Sequence, residues 1–139
     1  AFVGAGVEEV LAQLGNKREG LLGPAQWLAS ATLEPDEGPD AAWFVTHYRD
    51  VAGIDPSYPA AQAFAAGLLC ARCLRDSGRS DATAQLAAAH QLVCTTLYGA
   101  FRLDPLTGLQ VGHQVVVVQW QDGVRRVVWP PEQAECPLR

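Results

Sequence analysis

Four cysteines are the residues with the most obvious chemical potential in this chain. Cys70 and Cys73 form a CxxC motif, a spacing that occurs in redox pairs and in zinc sites. The motif falls inside a predicted helix rather than at a strand-to-helix turn, and no second CxxC or close histidine pair completes a four-ligand set. We therefore expect small buried thiols and no metal. A single disulfide is the alternative, in which Cys94 is the expected partner of a helix cysteine.

The three histidines give little support for catalysis. His47, His90 and His113 lie on different predicted elements, and none stands beside a nucleophile or an acid in a catalytic pattern. Capping and surface roles are expected for them. The Gly4–Gly6 turn resembles a shortened phosphate loop but lacks the third glycine and the lysine of that motif. The sequence thus predicts neither an enzyme nor a cofactor site.

Aromatic side chains next to polar ones are better candidates for ligand binding, because small-molecule pockets are mostly apolar with a few placed polar groups. Gln26 and Trp27 follow a strand-like segment, and ligands in α/β sheets bind at such strand ends. The alternative is that Trp27 packs under its own loop. Tyr58, in the connection before a long helix, has the same ambiguity. The remaining tryptophans are expected to cover the sheet: Trp43, Trp120 and Trp129.

Hydrophobic periodicity predicts the helices that must position these residues. A short amphipathic helix is expected over Val7–Leu14, and a second over Asp40–Ala52 with Gly53 as its C-cap. A third, Ala60–Asp76, is apolar nearly all round and should be the most buried helix. A fourth begins at Ser80 or Asp81 and ends near His90.

The period changes to that of strands after Val93. A strand is predicted over Leu97–Leu103 with Gly99 as a bulge, then a turn over Asp104–Gly108, and then a β-branched strand over Val115–Trp120. Asp122-Gly123 predicts a hairpin with a type I′ turn. Its expected cross-strand pairs are Trp120 with Arg125, Val118 with Val127, and Val116 with Trp129.

Composition bounds the remaining possibilities. The 139 residues carry 10 basic and 15 acidic side chains, for a net charge of −5, and the basic residues are scattered. This pattern does not fit a nucleic-acid binder.

No apolar run reaches the length of a membrane span. Residues 29–39 are expected to form a solvated loop, and residues 131–139 a frayed tail after a domain that spans 1–130.

Four segments, in order and with matching spacing, resemble the C-terminal part of the type I periplasmic binding proteins, the branched-chain amino acid and amide receptors of ABC transporters. The resemblance covers nearly the whole chain. The segments are 19–27 (EGLLGPAQW), 58–67 (YPAAQAFAAG), 98–105 (YGAFRLDP) and 112–130, which runs from GHQ through VQWQDG to VWP.

The resemblance implies an α/β fold: a three-layer helix/sheet/helix lobe with a parallel sheet, followed by a C-terminal antiparallel β-hairpin. It implies a fragment of a two-lobed, non-catalytic receptor in the periplasm or another extracytoplasmic compartment. Such a receptor closes on an amino acid, an amide or a related aromatic or aliphatic carboxylate and delivers it to ABC permease subunits. The alternative is a ligand-sensing regulatory domain of the same fold.

The resemblance also implies where a ligand would bind. Ala5 and Gly6 stand near the segment that, in branched-chain receptors, holds an acid for the ligand ammonium. Gln26 and Trp27 match a cleft-side segment, and Tyr58 is a second cleft candidate. Because a single lobe offers only part of the contacts, the isolated chain is expected to bind free amino acids weakly. It is also expected to hide the exposed lobe surface in a homodimer.

Overall fold

A computed structural model describes residues 11–31 and 33–139. The predicted strand end at Ala1–Ala5 and the first half of the predicted helix Val7–Leu14 lie outside the described residues. The chain divides into two compact units, one formed by 1–31 with 115–139 and the other by 32–114. The regular elements are helices α1 (Ala41–Ala52), α2 (Tyr58–Ser77) and α3 (Ala82–Gln91), and strands β1 (Leu22–Ala25), β2 (Val93–Thr96), β3 (Gly99–Arg102), β4 (Val116–Gln121) and β5 (Val124–Trp129).

The first unit is built on a three-stranded antiparallel sheet with the order β1-β4-β5. One face of the central strand β4 carries Val116 and Val118. They pack with Ala25 of β1 and Val127 of β5, and Leu28 lies beside this cluster. Trp120 continues this face and packs against Leu11 and Leu21. The 3-10 segment Ala12–Arg18 precedes the sheet.

The β4–β5 hairpin confirms the prediction made from Asp122-Gly123. Both residues have positive φ, 56° and 80°, as a type I′ turn requires. Trp120 lies opposite Arg125, and Val118 lies opposite Val127, as expected. The third expected pair is wrong, because Trp129 lies opposite Val117 instead of Val116.

The changed pair has a local cause. Val117 and Val118 oppose Trp129 and Val127, so β5 holds one extra residue, Val128, at this point. Such a β-bulge shifts the register by one position beyond it. Val116 pairs instead with Ala25 of β1 and stays buried.

The C-terminal residues 131–139 are not a frayed end, so this expectation is wrong. The Gln119 side chain donates to the carbonyl oxygen of Arg139 (2.9 Å) and accepts from its backbone N–H (3.0 Å). Gln121 donates to the carbonyl of Pro137 at 3.0 Å, and the backbone N–H of Glu135 bonds to the β5 carbonyl of Val127 at 2.8 Å. The tail therefore covers the polar face of β4.

The helices of the second unit begin and end close to the predicted positions. Asp40 caps α1 by accepting from the backbone N–H of Trp43 (2.7 Å), and Gly53 ends the helix in the left-handed conformation. Asp81 caps α3 in the same way, through Ala84. Helix α2 starts two residues earlier than predicted.

Helix α2 has more buried residues than the other helices of its unit, as predicted, but much of its surface is exposed. Its buried residues are Ala61, Ala65 and Cys73, while Leu74 is 43% exposed. An all-round apolar sequence made largely of alanines offers a narrow stripe for packing, and small side chains bury little area.

The predicted strand Leu97–Leu103 is replaced by a hairpin. β2 begins at Val93, the chain reverses at Leu97-Tyr98, and β3 pairs antiparallel with β2. Gly99, expected as a bulge, has a φ of 119° and follows the reversal directly. The following turn is as predicted, with the Asp104 carboxylate accepting from the N–H groups of Leu106 and Thr107. The strand pairs of the described residues are antiparallel, whereas the resemblance implied a parallel sheet.

The loop over residues 29–39 is tied down more than its composition predicts. The backbone N–H groups of Asp36 and Glu37 donate to the carbonyl of Thr95, and the Asp36 carboxylate accepts from the Thr95 N–H at 2.7 Å. Glu37 is salt-bridged to Arg72 (2.8 Å) and Arg75 (2.9 Å) of α2. The loop thus shields the outer edge of β2.

Candidate functional site

Gln26 and Trp27 directly follow β1, the edge strand of the first unit, as the sequence predicts. Gln26 is exposed, whereas the Trp27 side chain is 9% exposed. Ala25 and Leu28, which flank the pair, belong to the apolar cluster on β4. This burial is the environment expected if Trp27 packs under its own loop. Gln26 is then the member of the pair that is open to solvent.

Tyr58 is the first residue of α2, after the N-cap Ser57. Its side chain is 37% exposed. The phenol is close enough to Tyr98 to affect it: burial raises the pKa of Tyr98, and the proximity of Tyr58 raises it further. The N-terminal turn of α2 and the β2–β3 reversal therefore lie near enough for the two phenols to interact electrostatically.

His113 stacks on the second of these tyrosines, Tyr98. Its imidazole stacks on the Tyr98 ring with centroids 4.7 Å apart and an interplanar angle of 14°. The backbone before it passes so close to β3 that a Cβ on Gly112 would come within 2.8 Å of the Arg102 nitrogen, so only glycine fits. A Cβ on Gly99 would reach 3.1 Å from the imidazole Nδ1. Two glycines thus allow the imidazole to lie flat on Tyr98.

We define Tyr58, Tyr98 and His113 as the aromatic cluster of the second unit. Of the five residues predicted to face a ligand, Gln26 and Trp27 belong to the first unit and Tyr58 to the second, while Ala5 and Gly6 lie outside the described residues. Sequence reasoning missed Tyr98 and assigned His113 a surface role. Both residues lie in segments that carry the resemblance, 98–105 and 112–130. Membership of these segments was the sequence signal that could have singled them out.

The aromatic cluster has the chemistry of a binding surface. Tyr58 offers an exposed aromatic face and a hydroxyl group, which suit ligands that are apolar in the middle and polar at the end, whereas the imidazole nitrogens of His113 are buried. A ligand can stack on an aromatic ring without any proton transfer.

The other tryptophans differ in their surroundings. Trp120 is 1% exposed and lies under the Arg18 guanidinium, 3.9 Å from the ring centroid. Trp129 is 54% exposed. Trp43 does not cover a sheet: it stacks on His47 within α1, with centroids 3.8 Å apart, and contacts Phe64 of α2. The expectation of sheet cover is therefore wrong for Trp43.

The cysteines also occupy different environments. Cys73 and Cys94 are buried as expected, Cys136 is partly buried, and Cys70 is exposed, which corrects the expectation for that residue. All four are free thiols. Across residues 11–31 and 33–139, no group of three or more His, Cys, Asp or Glu side chains is arranged to hold a metal ion. Within the same ranges, no helix is long and apolar enough to cross a membrane.

A solved structure with similarity to this chain covers most of the chain's length. It is an ABC transporter substrate-binding protein from Desulfitobacterium hafniense in complex with Leu. The TM-score is 0.58 and the sequence identity 26%, over 81% of this chain and 32% of that protein. No protein-family model matches the chain, and no curated protein matches it.

This similarity defines the class of fold: the chain has the α/β fold of a periplasmic-binding-protein-like domain. The helices and the terminal antiparallel hairpin expected from the sequence are present. The chain spans about a third of the length of the substrate-binding protein that it resembles.

Proposed function

We propose that this chain is part of an extracytoplasmic solute-binding receptor that delivers an amino acid, an amide or a related small carboxylate to an ABC permease. The observation that supports it most is the similarity, over 81% of the chain, to a substrate-binding protein that is in complex with Leu. The sequence segments that carry the resemblance support it independently. They include the strand end at Gln26 and the helix start at Tyr58. The proposed activity is binding, without catalysis.

Within this proposal Gln26 and Trp27 remain candidate ligand residues of the first unit, and Tyr58 is a separate candidate of the second unit. Gln26 and Tyr58 are exposed, so their side chains are open to a ligand. Near Tyr58, the Tyr98 ring stacks on His113. Ala5 and Gly6 remain proposed ligand neighbours. Trp27 serves as an apolar support for Gln26, because its ring is mostly buried.

Binding in such receptors depends on lobe closure, since a ligand that contacts both lobes favours the closed form. A chain that spans 32% of a comparable receptor offers only some of these contacts. We therefore expect the chain alone to bind ligand far more weakly than the longer receptor of which we propose it is a part.

The test is calorimetric titration of leucine, aliphatic amides and aromatic carboxylates, both into the chain and into the longest native protein that contains it. We expect saturable binding of one ligand class by the long protein and weak or no binding by the chain alone. If no ligand of the three classes binds the long protein at millimolar concentration, the proposal is wrong. Micromolar binding by the isolated chain would contradict the dependence on closure.

Two substitutions on exposed side chains test the proposed contacts without disturbing the core. Gln26→Ala and Tyr58→Leu should each weaken binding in the long protein by about tenfold, which corresponds to the loss of one hydrogen bond or one aromatic contact. The matched controls are Gln13→Ala, on an exposed residue of the first unit, and Tyr48→Leu on α1. Equal loss in variant and control would remove these residues from the proposed site.

A further inference from the structure

Two cysteines from separate elements of the second unit share one apolar cluster. Cys73 of α2 is 6% exposed and Cys94 of β2 is 5% exposed, and Leu92 is buried between the same elements. Partly buried side chains surround them: Leu69, Ala88, Ala89 and Phe101. Helix α3 lies between the two cysteines in the sequence, so a covalent link here would close a loop that contains a whole helix.

Cys73 also lies close enough to Cys94 to raise the pKa of the Cys94 thiol. The pKa of Cys94 is raised to about 11, chiefly by burial and also by the neighbouring Asp36, Glu37 and Cys73. Burial likewise raises the pKa of Cys73. Both groups are therefore thiols at neutral pH in the folded chain and react slowly there, because the thiolate is the nucleophile.

The other cysteines do not share this environment. Cys70 lies one helical turn before Cys73 but is exposed. Cys136 belongs to the first unit, where its thiol contacts the Gln121 Oε1 at 3.4 Å. Of the two helix cysteines, only Cys73 is buried beside Cys94, so the structure selects one pair.

We infer that Cys73 and Cys94 form a disulfide that links α2 to β2 when the chain folds in the presence of a disulfide oxidant. One cysteine thiolate attacks the oxidant, forming a mixed disulfide and releasing one oxidant thiolate. The second cysteine thiolate then attacks the protein sulfur of that mixed disulfide and releases the other. Two protein thiols lose two electrons and two protons, and the oxidant is reduced to two thiols.

The experiment is refolding of the whole chain from denaturant, either in a buffer of oxidised and reduced glutathione or in reductant alone. Free thiols are then alkylated under denaturing conditions, and the peptides are mapped by mass spectrometry. We expect a peptide that links Cys73 to Cys94, with Cys70 and Cys136 alkylated. Recovery of all four alkylated cysteines, or a link through Cys70, would overturn the inference. This mapping uses the unchanged sequence, so it does not depend on the folding of a variant.

A second readout is thermal stability. Because a disulfide restricts the unfolded chain, the Tm after oxidative refolding should exceed that of the reduced protein by about 5 °C or more. Cys73→Ala and Cys94→Ala should abolish this difference, whereas Cys70→Ala and Cys136→Ala should keep it. A difference that survives in Cys94→Ala would also contradict the pairing. None of these outcomes depends on ligand binding, so failure here leaves the proposed receptor function untouched.

Discussion

In the first unit the central strand β4 buries large side chains on one face and glutamines on the other, whereas in the second unit α2 buries only a stripe of small residues. Val118, Gln119 and Trp120 are all nearly inaccessible. Most of the exposed large apolar side chains that the structure describes belong instead to the second unit, among them Val51 and Leu86. Stability should therefore be more sensitive to single substitutions in the sheet than on the helix surfaces.

The comparison also separates two ways of using polar groups. The first unit buries neutral amides that the C-terminal tail satisfies, as Gln119 shows. The second unit uses charged pairs at its surface, as in Arg49 with Asp55. Removal of a buried amide leaves its partners without hydrogen bonds, whereas a surface charge pair is replaced by water at little cost.

The largest effect is expected for Trp120→Ala. Trp120 is 1% exposed and packs against Leu11 and Leu21, so its truncation leaves a cavity that the sheet cannot easily close. The free energy of unfolding should fall by about 3–5 kcal/mol. Urea denaturation followed by circular dichroism measures this change. Trp129→Ala, at a half-exposed position of the same sheet, is the control and should cost less than about 1 kcal/mol.

A smaller loss is expected for Gln119→Leu. This substitution removes the acceptor for the Arg139 N–H and for the Gln121 side-chain amide, which donates to Gln119 at 2.7 Å. We expect a loss of about 1–3 kcal/mol in urea denaturation, together with faster amide exchange in residues 135–139. Gln13→Ala, on an exposed residue, is the control. Unchanged exchange in the tail would show that the amide does not hold it.

The next effect concerns Glu37 and is dependent on pH. Hydrogen bonds from Arg72 and then from Arg75 lower the pKa of Glu37. A carboxyl with a lower pKa in the folded state stabilises the fold above its unfolded pKa, and this stabilisation is lost as pH falls through the folded value. Glu37→Gln should therefore cost about 1 kcal/mol at pH 7 and much less below about pH 4.

Thermal unfolding at several pH values measures the Glu37 contribution. Glu34→Gln is the matched control, since Glu34 is exposed in the same loop. A loss that is equally large at pH 3 and pH 7 would mean that the effect of Glu37→Gln comes from packing and not from charge.

The smallest effect is expected for Arg49→Ala. Arg49 is salt-bridged to Asp55, but both side chains are largely exposed, at 56% and 70%. Water and salt screen such a pair, so the urea midpoint should not change measurably. A clear fall in the urea midpoint would contradict the expectation that substitutions on the helix surfaces cost less stability than substitutions in the sheet.

The elements with strong local signals could be predicted from the sequence. Asp40 and Gly53 mark the two ends of α1, and Asp122-Gly123 sets the hairpin turn, because capping and positive φ are properties of a few neighbouring residues. The Val128 bulge could not be predicted in this way. It depends on how β5 fits against β4 over its whole length.

The candidate site was predictable in part for the same reason. Tyr58 could be singled out as an aromatic residue at a helix start. Tyr98, whose pKa Tyr58 raises, is distant in sequence and lies at the β2–β3 reversal, which the sequence did not predict. Trp27 was placed correctly after a strand, while its burial depends on the cluster around β4. Ligand contact by Gln26, Trp27 and Tyr58 stays a prediction.

By itself the sequence determined the helix ends, the terminal hairpin and the resemblance to solute-binding receptors, since these rest on short-range patterns of residue type. The tertiary structure decided which residues lie beside each other across long stretches of chain: His113 on Tyr98, Glu37 beside Arg72, and the C-terminal tail over Gln119. The physical reason is that periodicity shows which face of an element is apolar. Only packing shows which partner covers that face.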